Sequence, residues 1–225
     1  MLRQSILFII LLLIIVSCYE PSAYTNTAAL AQPEGQEQAL DTMGMQKAIF
    51  AGGCFWCTEA YFERVNGVKA VVSGYAGGTK RNPTYEQVSA GLTDYAEAVQ
   101  VYYDSTQVKY NTLLEVFFAT HDPTTLNWQG PDVGKQYRSI VFYKTPKEKT
   151  QIEHYIGQLN EAGTFPNKVV TTVEPFKKFW VAEGYHQDYY RLNPDDMYVV
   201  SVAMPKVKKF EKNFQHLLKP AYKAR

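Results

Sequence analysis

Apolar positions along this chain fall into short blocks, and their spacing changes from block to block between glycine, proline and asparagine breaks. Residues 48–51 form a short apolar strand candidate closed by Gly52-Gly53. A helix is predicted from at or near Cys54 to about Val65, where Asn66-Gly67 breaks it. Further strands are predicted over 68–73, 96–103, 139–143 and 169–173, and helices over 84–90 and 112–120. Thr145-Pro146-Lys147-Glu148 has the pattern of a capping box with Pro at the first helical position, opening a helix to about Glu161. Residues 74–83, with three glycines, read as a loop, and so does the polar-aromatic stretch 124–137, a length that usually accompanies function. A last helix from about Pro205 to Leu218 sets Val207, Phe210, Phe214, Leu217 and Leu218 on one stripe, expected to pack against the sheet, with lysines on the solvated side.

Strands and helices alternate, but the strands are short and the connections uneven. The expected architecture is a single α+β domain over 47–225, a mixed sheet with packed helices in a ferredoxin-like two-layer sandwich. No G-x-G-x-x-G follows a strand, no phosphate-binding G-x-x-x-x-G-K-[ST] loop is present, and there is no internal repeat.

The amino-terminal block differs in kind. Arg3 precedes an unbroken apolar run, 6–16, too short to span a bilayer comfortably but suited to the core of a signal peptide. The run ends at Ser17-Cys18, which resembles the lipobox of bacterial lipoproteins; the resemblance implies cleavage after 1–17 and lipidation of Cys18. An ordinary secretory signal or a short uncleaved anchor is the simpler alternative. Residues 19–46, rich in Ala, Gln, Thr and Pro and free of Lys and Arg, read as a flexible tether reaching roughly 30 Å. The expected address is the bacterial cell envelope, with 18–46 holding the folded part to the extracytoplasmic side of a membrane.

Composition narrows the function. Among 225 residues the formal net charge is +1, so nothing points to nucleic acid. The 17 tyrosines read most simply as a tyrosine-rich core and surface, with an aromatic-lined pocket as the other reading. The cysteines are Cys18, Cys54 and Cys57, too few for a disulfide-stapled domain.

Cys54 and Cys57 form a C-x-x-C at the start of the first predicted helix. A helix N-terminus offers free N–H groups and the positive end of the dipole, which favours a thiolate at Cys54, and Cys57 lies on the same side of the first turn. Zinc would need two more ligands at matching spacing, and His121, His154, His186 and His216 include no H-x-x-x-H pair. Haem attachment would need histidine where Thr58 stands, and a disulfide across so short a loop would add little stability. On the C-x-x-C alone, redox and other roles stay open, with a thioredoxin-type oxidoreductase the leading redox candidate.

The neighbouring motifs occur in a fixed order: Gly53-Cys54-Phe55-Trp56, Gly74-Tyr75-Ala76-Gly77-Gly78, Tyr85, Ala96-Glu97-Ala98-Val99, His121-Asp122-Pro123-Thr124, the run Gln129-Gly130-Pro131-Asp132-Val133-Gly134-Lys135-Gln136-Tyr137-Arg138-Ser139, and Gly184-Tyr185-His186-Gln187. This set resembles the A-type peptide-methionine sulfoxide reductases from about Ala48 to about Tyr190. The resemblance implies an oxidoreductase that reduces methionine-(S)-sulfoxide, in proteins, peptides and the free form, with no cofactor and no metal. It implies Cys54 as nucleophile forming a sulfenic acid, Glu97 as the acid that protonates the sulfoxide oxygen, and Tyr85 and Tyr137 as hydrogen-bond donors to it. Phe55 and Trp56 would wall the methyl group, and Asp132 would help position substrate. An acid working near neutral pH needs a raised pKa, which burial among aromatics could supply. Without the resemblance, Glu97 would read as a surface strand residue.

Cys57 would then resolve the sulfenic acid as a Cys54–Cys57 disulfide, recycled by thioredoxin or a thioredoxin-like reductant through a mixed disulfide. Many relatives carry the resolving cysteine in a C-terminal tail, and here the tail from Val199 has none. Two departures bear on substrate preference: Asp94-Tyr95 stands where many relatives have Gly-His, and Trp128 where they often have Arg. Partners expected are protein substrates, the reductant, and a membrane through lipidated Cys18; a monomer is expected. A general thiol–disulfide oxidoreductase is the alternative function, and a tethered non-enzymatic binding module the third.

Overall fold

The computed structural model describes residues 42–223. The candidate signal segment 1–17, Cys18 and most of the candidate tether lie outside the described residues.

Strand β1 (Gln46–Gly52) leads through Gly53 into helix α1 (Phe55–Glu63), strand β2 (Val68–Ala76), helix α2 (Tyr85–Ser89) and strand β3 (Ala96–Tyr103). Helix α3 (Tyr110–Thr120) follows, then a two-residue hairpin of β4 (Trp128–Gln129) and β5 (Asp132–Val133), strand β6 (Ser139–Tyr143) and helix α4 (Pro146–Glu161). Short strands β7 (Thr172–Pro175) and β8 (Trp180–Val181), helix α5 (Tyr189–Leu192), a π-helical turn (Val199–Ala203) and helix α6 (Met204–Asn213) complete the order.

The main sheet runs β7-β6-β1-β3-β2-β8, and only the β6–β7 pair is parallel. Its four central strands, β6-β1-β3-β2, with α1 between β1 and β2 and α3 between β3 and β6, have the ferredoxin-like order.

The period of two along the strands divides the core. On one face Ala48, Phe50, Val99 and Val101 pack under α1 and α3, with Phe50 stacked between Phe62 and Phe117 at 5.0 Å from each. On the other face Ile49, Ala51, Ala76, Ala96, Ala98, Ile140 and Phe142 form a second cluster, covered by Phe176 and Phe179 rather than by a helix. The four alanines let an irregular segment lie close there. Strand β3 is sandwiched on both sides and flanked on both edges, so all eight of its residues are buried.

Four sequence expectations change. The stretch 74–83 is not all loop: β2 continues through Gly74, Tyr75 and Ala76, and a Cβ at Gly74 would collide with the Trp180 carbonyl of β8. The strand expected over 169–173 is displaced to Thr172–Pro175, where it finds β6 as a parallel partner. Chain order alone does not signal β8, which is only two residues long. The C-terminal stripe packs mainly on α1, not on the sheet: Phe210 meets the Tyr61 ring edge-on at 5.5 Å, and Arg64 pairs with Glu211 at 2.7 Å. That helix also ends early, at Asn213, with a short 3₁₀ turn after it. The Thr145 cap forms, its hydroxyl accepting from Glu148 N; the Glu148 carboxylate takes the N–H of Lys144, one residue before the cap.

Candidate active site

Strand β1 stops at Gly52, and the next residue makes the turn. Gly53 has φ +96°, and a Cβ there would stand 2.9 Å from the Gln129 side chain, so both backbone freedom and close approach require glycine. Gln129 is fixed by its amide, which accepts from Asp122 N at 3.0 Å and donates to Asp122 O at 2.6 Å. The turn into α1 is thus pressed against the 122–129 loop, and Cys54 becomes the residue that caps α1.

The first N–H of α1 has a specific acceptor. Phe55 N donates to Glu97 Oε2 at 3.0 Å. Glu97 shares its strand face with Val99 and Val101, the face covered by helices, so its carboxyl points at the start of α1. At 2% exposure Glu97 is a core residue, which overturns the surface-strand alternative. Burial pushes its carboxyl up to about 8, against the pull of the Phe55 N–H, so it keeps its proton at neutral pH.

Around these groups lies a cleft of about 130 Å³ lined by Cys54, Phe55, Trp56, Tyr85, Glu97, Asp132, Tyr137 and Tyr198. Five separate chain segments build it. Phe55 is buried and Trp56 half-buried; Trp56 stacks on Tyr189 with centroids 3.7 Å apart and donates its indole N–H to His186 Nδ1 at 3.1 Å. Burial holds His186 down to about 4, leaving it neutral and able to accept that bond. Tyr85 is set by its own N–H, which donates to Glu183 at 2.9 Å while Tyr75 OH donates to the other oxygen at 2.8 Å. Its phenol is pushed up to about 12, chiefly by burial, and burial also raises Tyr137, so both remain hydrogen-bond donors in the working range. Asp132 reaches the cleft from the β4–β5 hairpin and accepts from Tyr198 OH at 2.8 Å.

Cys54 and Cys57 are both free thiols and both buried. The expectation that the helix N-terminus would favour a Cys54 thiolate is reversed in this state. Burial first, then the neighbouring Cys57, pushes the Cys54 thiol well up, and the nearest helix N–H is committed to Glu97. Cys57, three residues on, is shifted down by its hydrogen bond with Cys54. A buried acid, two adjacent thiols and tyrosine donors around a small aromatic cleft can deliver a nucleophile and a proton to one polar atom.

Comparison with known proteins agrees with this chemistry. Residues 46–218 match the peptide methionine sulfoxide reductase family. The chain belongs to that family. A reductase of Haloquadratum walsbyi is 52% identical over 173 residues, covering 77% of this chain and 98% of the relative. One of Acinetobacter baumannii is 50% identical over 175 residues, covering 78% and 99%. Among solved structures, reduced Mxr1 from Saccharomyces cerevisiae superposes with a TM-score of 0.62 at 36% identity, covering 68% of this chain and 87% of that one. Methionine sulfoxide reductase A of Corynebacterium diphtheriae gives 0.61 at 34% identity, covering 67% and 76%. The chain is therefore an oxidoreductase that reduces methionine sulfoxide.

The structure brings Cys54, Phe55, Trp56, Tyr85, Glu97, Asp132 and Tyr137 of the reductase to one cleft, and it places Cys57 behind Cys54 rather than on the cleft wall. Cys18 lies outside the described residues. Sequence reasoning missed Tyr198, which sits among 17 tyrosines in a segment with no periodic signal. It also passed over Glu183 and Tyr189, which hold the cleft from behind, and it marked His186 only as part of the Gly184-Tyr185-His186-Gln187 motif, without a role. The residues read as departures from the family pattern, Asp94, Tyr95 and Trp128, are not among those lining the cleft. Asp94 accepts from Thr79 N and Oγ1 at 3.0 and 2.9 Å, Tyr95 OH donates to Lys80 O at 2.7 Å, and Trp128 stands half-exposed in the hairpin that carries Asp132.

Glu97 also makes stability depend on pH. Below about 4.5 the group is neutral in both folded and unfolded chains; above it the unfolded carboxyl ionises while the folded one holds its proton to about 8. Its contribution is full below the lower value and is lost as pH rises through that window, on the order of 5 kcal/mol in all. Glu97→Gln, which does not titrate, is expected to match the parent near pH 4 and to exceed its stability by pH 8 while losing activity. Urea unfolding of both proteins across that range checks this; parallel stability curves would contradict it.

Proposed function

We propose that the reductase acts on methionine-(S)-sulfoxide in proteins and peptides, and in the free form, through a Cys54 sulfenic acid resolved by Cys57. The observation that carries this reading is Glu97, fully buried with its proton retained and bonded to the N–H that follows Cys54.

In this mechanism the Cys54 sulfur attacks the sulfoxide sulfur as Glu97 protonates the oxygen, with Tyr85 and Tyr137 donating to that oxygen. Methionine leaves and Cys54 carries the hydroxyl as sulfenic acid, while the thiol proton of Cys54 restores Glu97. Phe55 and Trp56 pack the methyl group, and Asp132, held by Tyr198, fixes the orientation of the substrate. Cys57 then forms the disulfide with Cys54 and releases water. A thioredoxin-like dithiol reduces that disulfide by exchange through a mixed disulfide. The demand for Glu97 as an acid is what separates this reading from a general thiol–disulfide oxidoreductase, which has no leaving oxygen to protonate.

The address follows from Ser17-Cys18 after the apolar run: lipidation of Cys18, a tether through 18–46, and repair of oxidised proteins in the cell envelope.

Single turnover of the separated epimers of a methionine sulfoxide peptide, with fully reduced protein and no added reductant, tests the chemistry. Conversion of the S epimer alone with loss of the Cys54 and Cys57 thiols is expected, and a folded, reduced protein that converts neither epimer would remove the proposal. For the address, Cys18→Ser is expected to leave the membrane fraction of fractionated cells; retention there after a carbonate wash would contradict lipid anchoring.

A further inference from the structure

Tyr198 has no part in the sequence-based account, yet its hydroxyl lies between the substrate side of the cleft and the resolving thiol. It donates to Asp132 Oδ2 at 2.8 Å and stands 4.0 Å from Cys57 Sγ. A phenol has one proton. With that proton committed to Asp132, the oxygen is left as the acceptor open to Cys57 S–H, and the same hydroxyl also contacts the Cys54 sulfur. The two contacts form a directed chain, Cys57 S–H to Tyr198 O–H to the Asp132 carboxylate.

The tyrosine is held in that position from two sides. Asp196 Oδ1 accepts from Tyr198 N at 2.9 Å and from Val199 N at 3.0 Å, fixing the entry to the π-helical turn Val199–Ala203. The Trp56 ring meets the Tyr198 ring edge-on at 5.7 Å. Helix α1 thus holds both Cys57 and one wall of the tyrosine's site.

We infer that Tyr198 is a catalytic residue of the resolving step, relaying the Cys57 proton to Asp132 as Cys57 attacks the Cys54 sulfenic acid. The inference rests on the resolving role proposed above for Cys57. In this step the Cys57 proton passes to the Tyr198 oxygen while the Tyr198 proton passes to Asp132. The freed electron pair on Cys57 sulfur forms the S–S bond, and the Cys54 S–O bond breaks. The departing oxygen takes the Glu97 proton and leaves as water; Asp132 returns its proton to Glu97 through solvent. The sulfenic acid is the oxidant, so no further co-reactant is required.

The surroundings suit each member. Burial raises the Tyr198 phenol far above its usual range, so it carries a proton in transit rather than ionising. Burial also raises Asp132, making it a better proton acceptor than an exposed carboxylate, against the opposing effects of Tyr198 and the Lys206 ammonium. Lys206 also favours the Cys57 thiolate, adding to the larger effect of the Cys54 hydrogen bond.

The test follows two rates in one turnover of the fully reduced chain with an S-sulfoxide peptide: methionine formation, and loss of the Cys54 and Cys57 thiols, with a dimedone-type reagent trapping sulfenic acid. Tyr198→Phe keeps the ring and removes the relay. Its disulfide closure is expected to fall on the order of 10²-fold further than its sulfoxide step, with trapped sulfenic acid rising to match. Asp132→Asn is expected to slow closure preferentially too, and the double variant to be no slower at closure than the worse single one. Closure that falls no further than the sulfoxide step in Tyr198→Phe overturns the relay. A parent protein that ends its turnover as sulfenic acid, or a Cys57→Ser variant that closes as fast as the parent, would instead remove the resolving role and the relay with it.

Discussion

The hydrogen bond from Phe55 N to the buried carboxyl of Glu97 joins the two halves of this site. It ties the first residue of α1 to the central strand β3, and so fixes Cys54 relative to the acid. The N-terminal N–H groups of a helix need acceptors, and a core carboxyl needs donors; each satisfies the other here. The bond also sets the electrostatics. It removes from Cys54 the donor that would most directly have stabilised a thiolate, and it is too weak alone to draw the proton from Glu97. The resting site therefore holds a protonated acid and a protonated nucleophile side by side, ready to exchange one proton with a sulfoxide oxygen.

Much else in the molecule serves that bond. Gly53 lets β1 reach α1 across only two residues, itself and Cys54, and Gln129 leaves no room for a side chain there. Strand β3 can be buried on both faces because alanines line the face opposite the helices and Phe176 and Phe179 close over them. The aromatic layer of Trp56, Tyr189 and His186 braces one side of the cleft, and Glu183 anchors Tyr85 on the other.

Regular elements were readable where a local pattern determines them. Strands 96–103 and 139–143 and the capped helix from Thr145 appear where expected because short runs rich in β-branched and aromatic residues, flanking turns and a cap specify them without outside help. The strand expected over 169–173 moved because a short edge strand takes its register from its partner, and β8 was invisible because two residues carry no period. The C-terminal stripe was legible as apolar but not as to what it covers, since α1 and the sheet both contribute to the same apolar core. Of the site, the chemical residues were legible through ordered motifs. The groups that hold them were not: Tyr198, Glu183 and His186 act through contacts 66 to 130 residues away in sequence, and a separation of that size leaves no local trace. The protonation of Cys54 was misjudged because helix geometry can be read from sequence, whereas burial and the destination of one N–H cannot.

The central claim is that Glu97 retains its proton at neutral pH beside a buried thiol. Direct titration of its carboxyl in the fully reduced protein, by carbon-13 NMR or by infrared difference spectroscopy with Glu97→Gln as the reference, addresses it most directly. The account predicts a carboxyl that remains protonated at pH 7 and ionises at about pH 8. A Glu97 carboxyl that ionises with the exposed carboxylates, near the ordinary glutamate value of about 4.5, would contradict it.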